Sequence, residues 1–139
     1  MNNLQKDIEK AARKIFKLFF GSRLYLGIKK KNIKEDLLGV DLTLNVDGNK
    51  RLSFFMEKST LRSVKNRLFG DREKEQWEDV SYDILGEMAS MILGYALKDN
   101  KEDIDISGPI KSTVLSSHDM NTLYFSSAMG KFAIAIEDI

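Results

Sequence analysis

The order in which helical and strand-like segments follow one another constrains the fold of this chain more than any other feature. Apolar residues recur at helical spacing over 4–19, with Gly21 as a natural stop, and three strand-like segments follow. The same order returns after a long helix predicted over 75–98, and a short helix predicted over 59–70 joins the two halves. No convincing residue-level repeat accompanies this order. We therefore expect one α/β (α+β) domain over 1–139, with pseudo-twofold symmetry and more antiparallel than parallel strands.

The predicted strands of the first half alternate apolar and polar residues and cover 22–28, 40–46 and 50–56. Residues 47–49 (Asp-Gly-Asn) between the last two strands are a strong hairpin signal. In the short helix that follows, Ser59 is the expected N-cap and Gly70 the expected end.

Three strands are predicted in the second half: one that is interrupted and covers 104–106 and 110–115, and two that cover 121–127 and 131–137. The single proline, Pro109, separates the first two segments, and Met129 and Gly130 form the turn between the last two. The long helix before them has an apolar face made of Trp77, Val80, Ile84, Met88, Met91, Ile92 and Tyr95.

Composition is that of an ordinary globular protein, with 42% hydrophobic and 31% charged residues. No apolar run approaches the ~20 residues of a membrane span, and the N-terminal residues lack the uninterrupted apolar core of a signal peptide. The absence of cysteine excludes disulfides, a thiol nucleophile and zinc–thiolate sites. We expect a cytoplasmic protein that does not insert into a membrane.

Charge is distributed unevenly between the two halves. Residues 1–70 contain 16 Lys+Arg and 7 Asp+Glu, whereas residues 71–139 contain 6 and 14. Nucleic-acid binding is one interpretation of a basic half, but the basic residues are spread over several elements and few aromatics lie among them. Attraction between the two halves explains the same division, so we expect no nucleic-acid partner.

The first predicted helix has a basic face opposite its apolar face, formed by Lys6, Lys10, Arg13, Lys14 and Lys17. Such a helix can lie on a membrane surface. It can equally pack its apolar face on a core and leave the basic face in water, and this second interpretation is the one we expect.

Several kinds of self-contained chemistry are excluded by missing motifs. The sequence has no H-E-x-x-H, phosphate-binding loop, G-x-G-x-x-G or G-x-S-x-G pattern. Its one histidine, His118, lies in a turn-like segment, where a solvated side chain is the usual state. Residues 47–54 begin like a calcium loop but lack the further ligands. We therefore expect no metal ion or cofactor on this chain.

The long helix carries an unusual face of small and polar residues. Gly86, Ser90 and Gly94 recur every four residues, and Asp83 and Glu87 share that face. Two interior glycines cost a helix about 1 kcal/mol each relative to alanine. The small residues therefore either allow another element, such as the first helix, to pack closely, or clear space so that a partner can reach Glu87 and Ser90.

This face resembles the signature of the CheC/CheX/FliY family of chemotaxis phosphatases, and the CheX branch most closely. The family signature is a helical Glu-x-x-Asn, a glycine one turn later, a short strand and a proline. In residues 83–113, Glu87 matches the glutamate, Gly94 the glycine, "IDI" the strand and Pro109 the proline. Residues 39–70 are similar to the hairpin and helix that precede the signature. The order of elements matches over nearly the whole chain.

The resemblance implies a mechanism that depends on a partner, the phosphorylated receiver domain of a CheY-type response regulator. The partner supplies the phosphorylated aspartate, a lysine and Mg²⁺. Glu87 is expected to pair with that lysine, and the residue at position 90 to hold the attacking water. Asp83 is expected to add a charge contact, and Gly94 to belong to the binding surface. The resemblance also implies a homodimer joined through its sheets, for which 123–127 and 131–137 are candidate edge strands.

Position 90 departs from the family signature, because Ser90 stands where the family has asparagine. A serine hydroxyl both donates and accepts hydrogen bonds, but it is shorter than a carboxamide. Three hypotheses follow: a CheX-like phosphatase, a CheX-like binding module with weak or no activity, and a part of the flagellar switch.

Overall fold

The computed structural model describes residues 2–27, 37–46, 48–70, 77–99, 104–112 and 122–139. His118 and the predicted loop at 29–36 lie outside these ranges. Within them the helices are α1 (Asn2–Phe20), α2 (Lys58–Phe69) and α3 (Trp77–Ala96), and the strands are β1 (Tyr25–Leu26), β2 (Leu37–Asn45), β3 (Asn49–Glu57), β4 (Ile106–Ser112), β5 (Thr122–Ser127) and β6 (Gly130–Asp138).

The strands form one sheet in the order β1-β5-β6-β3-β2-β4, and every pairing among the described strands is antiparallel. Exchanging β1 with β4, β2 with β5 and β3 with β6 reproduces this order in reverse. The pseudo-twofold axis therefore passes between the central strands β3 and β6. The repeated order of elements and the α+β class that the sequence predicts are both confirmed.

The hydrophobic core lies between one face of the sheet and helices α1 and α3. Every second residue of β3 faces the helices, so Leu52, Phe54 and Met56 are buried there opposite residues of β6. Phe16 of α1 stacks on Phe132 of β6 with ring centroids 4.9 Å apart. Aromatic packing thus fixes α1 over the centre of the sheet.

Helix α1 follows its predicted apolar face with one exception. Phe19 is 45% exposed, whereas Phe20 is buried. The ring of Phe20 lies 5.2 Å from that of Phe16 one turn earlier, so Phe20 rather than Phe19 extends the aromatic stack. Because the apolar face of α1 is buried in the core, it is not available to a membrane surface. Among the described helices, none combines the length and the hydropathy needed to cross a membrane.

Two local predictions are corrected. Segment 22–28 contains the predicted strand, but among its described residues the strand covers only Tyr25 and Leu26. The residues before it complete the end of α1: the amide of Gly21 donates to Lys17 O and that of Ser22 to Phe16 O. Ser59 is not the N-cap of α2. The helix begins at Lys58, directly after β3 ends at Glu57, so Ser59 already lies in the first turn.

The predicted edge strands are also misassigned. β6 is central, since it pairs with β3 and β5. β5 is covered at Phe125 and Ser126 by β1. Among the described strands, β1 and β4 lie at the edges of the sheet. β4 contains Pro109, which has no N–H and so weakens that edge as a pairing surface.

Candidate functional site

An open groove of ≈ 440 Å³ runs between α3 and the edge strand β4. Residues of α3 form one wall, residues of β4 form the other, and Val40 of β2 lies between them. The lining residues are Val40, Tyr82, Asp83, Gly86, Glu87, Ser90, Pro109, Ile110 and Lys111.

The α3 wall carries three of the four site residues that the sequence predicts. Asp83, Glu87 and Ser90 line the groove and are exposed. Gly94 lies on the same helix face and is exposed, one turn beyond the residues that line the groove. The helical period explains this arrangement, because the opposite face of α3 is buried in the core through Ile84, Leu85, Met88, Ala89, Ile92 and Leu93.

The β4 wall consists of residues that the sequence did not single out as site residues, apart from the signature proline. Lys111 pairs with Val40 and Ile110 with Asp41 across the β2–β4 ladder. Pro109 follows a cis peptide bond, and Ile110 is 64% exposed. β4 and β2 are about seventy residues apart in the chain, so no local pattern could place Ile110 and Lys111 beside Glu87.

The two glycines of the small-residue face have different surroundings. A Cβ atom at Gly86 would lie 2.8 Å from Pro109 Cγ, whereas a Cβ atom at Gly94 would meet no atom within 4 Å. Of these two glycines, only Gly86 allows close packing. The element that packs against it is β4 and not α1, which was the expected candidate. Ser90 and Gly94 are exposed, as the partner-access interpretation requires.

These surroundings predict opposite stability changes for the same substitution. Gly94→Ala should raise the free energy of unfolding by about 1 kcal/mol, because alanine is the better helix former and nothing opposes its methyl group. Gly86→Ala gains the same propensity but forces α3 away from Pro109, which costs about 1–3 kcal/mol. We expect it to lower the free energy of unfolding by about 1 kcal/mol, measured by urea unfolding.

The Gly94 variant is the matched control for the Gly86 variant, since both sit in one helix and change by one methyl group. Equal stabilisation by both substitutions would contradict the close contact between α3 and Pro109.

The charges in the groove differ in sign between its walls. Asp83 and Glu87, one turn apart on α3, are acidic, and Lys111 on β4 is basic with its Nζ 4.6 Å from the centroid of the Tyr82 ring. Among the described residues, no group of three or more histidine, aspartate or glutamate side chains is placed to hold a metal ion. The groove offers carboxylates to a cationic group of a partner, and the hydroxyl of Ser90 can donate to or accept from a water molecule.

Comparison with known proteins identifies the fold. No protein-family model matches the sequence, and no curated protein matches it. A CheC-like superfamily protein from Shewanella sp. PV-4 is similar in structure, with a TM-score of 0.73, 21% sequence identity, and coverage of 97% of this chain and 96% of that chain. The chemotaxis protein CheX from Vibrio vulnificus has a TM-score of 0.70 at 20% identity, with 94% and 95% covered.

A third similar structure contains a partner. The CheX chain in the CheX–CheY–BeF₃–Mg²⁺ complex from Borrelia burgdorferi has a TM-score of 0.63 at 17% identity, with 96% of this chain and 97% of that chain covered. The protein therefore has the fold of CheC-like proteins. More particularly, it shares over nearly its whole length the fold of CheX, as the resemblance of residues 83–113 predicts.

Proposed function

We propose that this protein is a chemotaxis protein of the CheX type that docks the phosphorylated receiver domain of a CheY-type response regulator in the groove between α3 and β4. The observation that carries the proposal is the exposure of Glu87 and Ser90, one helical turn apart, on the wall of an open groove. The likeness to a CheX crystallised with CheY, BeF₃ and Mg²⁺ supports the choice of partner.

In the proposed reaction the receiver brings the phosphorylated aspartate, a lysine and Mg²⁺. Glu87 pairs with that lysine and orients the docked domain. The hydroxyl of Ser90 holds a water molecule in line with the phosphorus. The water oxygen forms a bond to phosphorus, and the bond from phosphorus to the aspartate oxygen breaks. Inorganic phosphate leaves with both protons of the water, and the aspartate carboxylate is restored. The contribution of this chain is to position a nucleophile.

A second candidate function is a binding module that docks the receiver but hydrolyses its phosphate weakly or not at all. The identity of residue 90 favours it, because serine lacks the carboxamide that the family signature places there. A water molecule held about 1 Å from its productive position reacts roughly 10²-fold more slowly.

The decay of a ³²P-labelled receiver domain, measured with and without this protein, tests both candidates. Faster decay supports the phosphatase. Unchanged decay together with binding of the labelled receiver supports the binding module. If the labelled receiver neither binds nor loses phosphate faster, both candidates are wrong.

We also propose that the protein forms a homodimer through its sheet. Because β4 forms a wall of the groove, we expect the dimer to leave β4 uncovered. Size-exclusion chromatography with light scattering should then give twice the 15.9 kDa chain mass. The Glu87→Ala variant at the same concentration should give the same mass. A mass of one chain would contradict the proposed dimer.

A further inference from the structure

The groove contains a basic residue, Lys111, whose position follows from its strand register, from its contact with Tyr82 and from the neighbouring Pro109. Lys111 pairs with Val40, a core residue, so its side chain lies on the side of the sheet that α3 covers. Its Nζ lies 4.6 Å from the centroid of the Tyr82 ring, within the range of a cation–π interaction. Pro109, two residues earlier, contacts α3 at Gly86. The ammonium group is therefore held at the α3 side of the groove.

The position of Lys111 along the groove follows from its contact with Tyr82. Tyr82 and Ser90 are eight residues apart in α3, which corresponds to about 12 Å along the helix axis. Lys111 thus lies at the Tyr82 end of the groove, Ser90 lies at the other end, and Glu87 lies between them. A group that reacts beside Ser90 therefore lies about two helical turns from the Tyr82 end, where the ammonium of Lys111 is held.

Opposite charges at separate points of one groove select a partner surface with the complementary pair of charges. The carboxylate of Glu87 accepts a cationic group, and the ammonium of Lys111 accepts an anionic group. A surface with both groups at the matching separation docks in one orientation, whereas the reversed orientation brings like charges together.

We propose that Lys111 is a second docking residue, which pairs with an aspartate or glutamate carboxylate on the receiver surface, away from the phosphoryl group. This inference rests on the proposed function, since the receiver is the partner that the groove is proposed to dock. Lys111 is a positioning residue and takes no part in the reaction at phosphorus.

Lys111→Met removes the ammonium group and its charge but keeps most of the unbranched apolar part of the side chain. We expect the Kd for the receiver to rise about tenfold, both for the receiver loaded with BeF₃ and Mg²⁺ and for the unloaded receiver. In the phosphate-release assay KM should rise while kcat stays unchanged. The salt dependence of binding should become shallower, and Lys111→Arg should retain most of the affinity.

Lys98→Met is the matched control. The Nζ of Lys98 lies 4.1 Å from the centroid of the Tyr95 ring, which is the same kind of contact on the same helix, but Lys98 is not among the residues that line the groove. This variant should bind the receiver as the wild type does. Equal weakening by both substitutions would attribute the effect to overall charge and overturn the inference.

The remaining outcomes separate the inference from the proposed function. An effect of Lys111→Met that appears with the BeF₃-loaded receiver alone would mean that the lysine contacts the phosphoryl group, which overturns the assignment to a carboxylate. If Lys111→Met binds the receiver normally and Glu87→Ala binds it more weakly, the docking role of Lys111 is overturned and the proposed function stands. Unchanged binding by both variants overturns the proposed function as well.

Discussion

Replacing Ser90 with asparagine is expected to raise the rate at which this protein removes phosphate from a receiver domain by about 10²-fold. The carboxamide reaches farther than the hydroxyl and has separate donor and acceptor ends, so it can hold the attacking water closer to the phosphorus. Position 90 is exposed and lines the groove, so the larger side chain fits without disturbing the core. The decay of a ³²P-labelled receiver measures the change.

Ser90→Ala is the control for the asparagine variant, because it removes the hydroxyl and adds no new group. We expect it to bind the receiver normally and to abolish any acceleration of phosphate release. An asparagine variant that binds as tightly as the wild type but releases phosphate no faster would contradict the proposed role of position 90.

Glu87→Ala is expected to raise the Kd for the receiver roughly 10²-fold, because it leaves the lysine of the partner without its carboxylate in the closed interface. Acceleration of phosphate release should be lost at ordinary protein concentrations. Isothermal titration calorimetry with a receiver loaded with BeF₃ and Mg²⁺ measures the affinity.

Asp83→Ala is the matched control for Glu87→Ala, since Asp83 lies on the same face one turn earlier and also lines the groove. A surface charge contact alone predicts a loss of less than about fivefold. Losses of equal size at both positions would show that the groove attracts the partner by its total negative charge, and Glu87 would then have no special role.

The sequence predicted the features of this protein that depend on local patterns. Helical spacing was enough to put positions 83, 87, 90 and 94 on one face of α3, and the buried residues of the opposite face confirm that register. The hairpin between β2 and β3 was predicted from residues 47–49. The structure confirms the hairpin, but Asn49 already belongs to β3 and pairs with Asn45. The repeated order of elements predicted the pseudo-twofold symmetry, which the strand order of the sheet shows.

Features that depend on contacts between distant segments were not predictable from these patterns. Ile110 and Lys111 belong to the groove because β4 pairs with β2, which joins two segments from different halves of the chain. Residues 132–136 of β6 are all apolar, which indicates a buried strand, but its central place in the sheet follows only from its pairing with β3 and β5. The face of small residues on α3 allowed two interpretations, close packing and access for a partner. The position of Pro109 shows that Gly86 serves close packing.

The close approach of Gly86 and Pro109 determines how far apart the two walls of the groove lie. The distance between the walls is limited by the hydrogen that glycine carries in place of a methyl group. A larger residue at this position would spread the walls apart while leaving Glu87, Ser90 and Lys111 chemically unchanged. Position 86 therefore sets the width of the groove through its contact with Pro109.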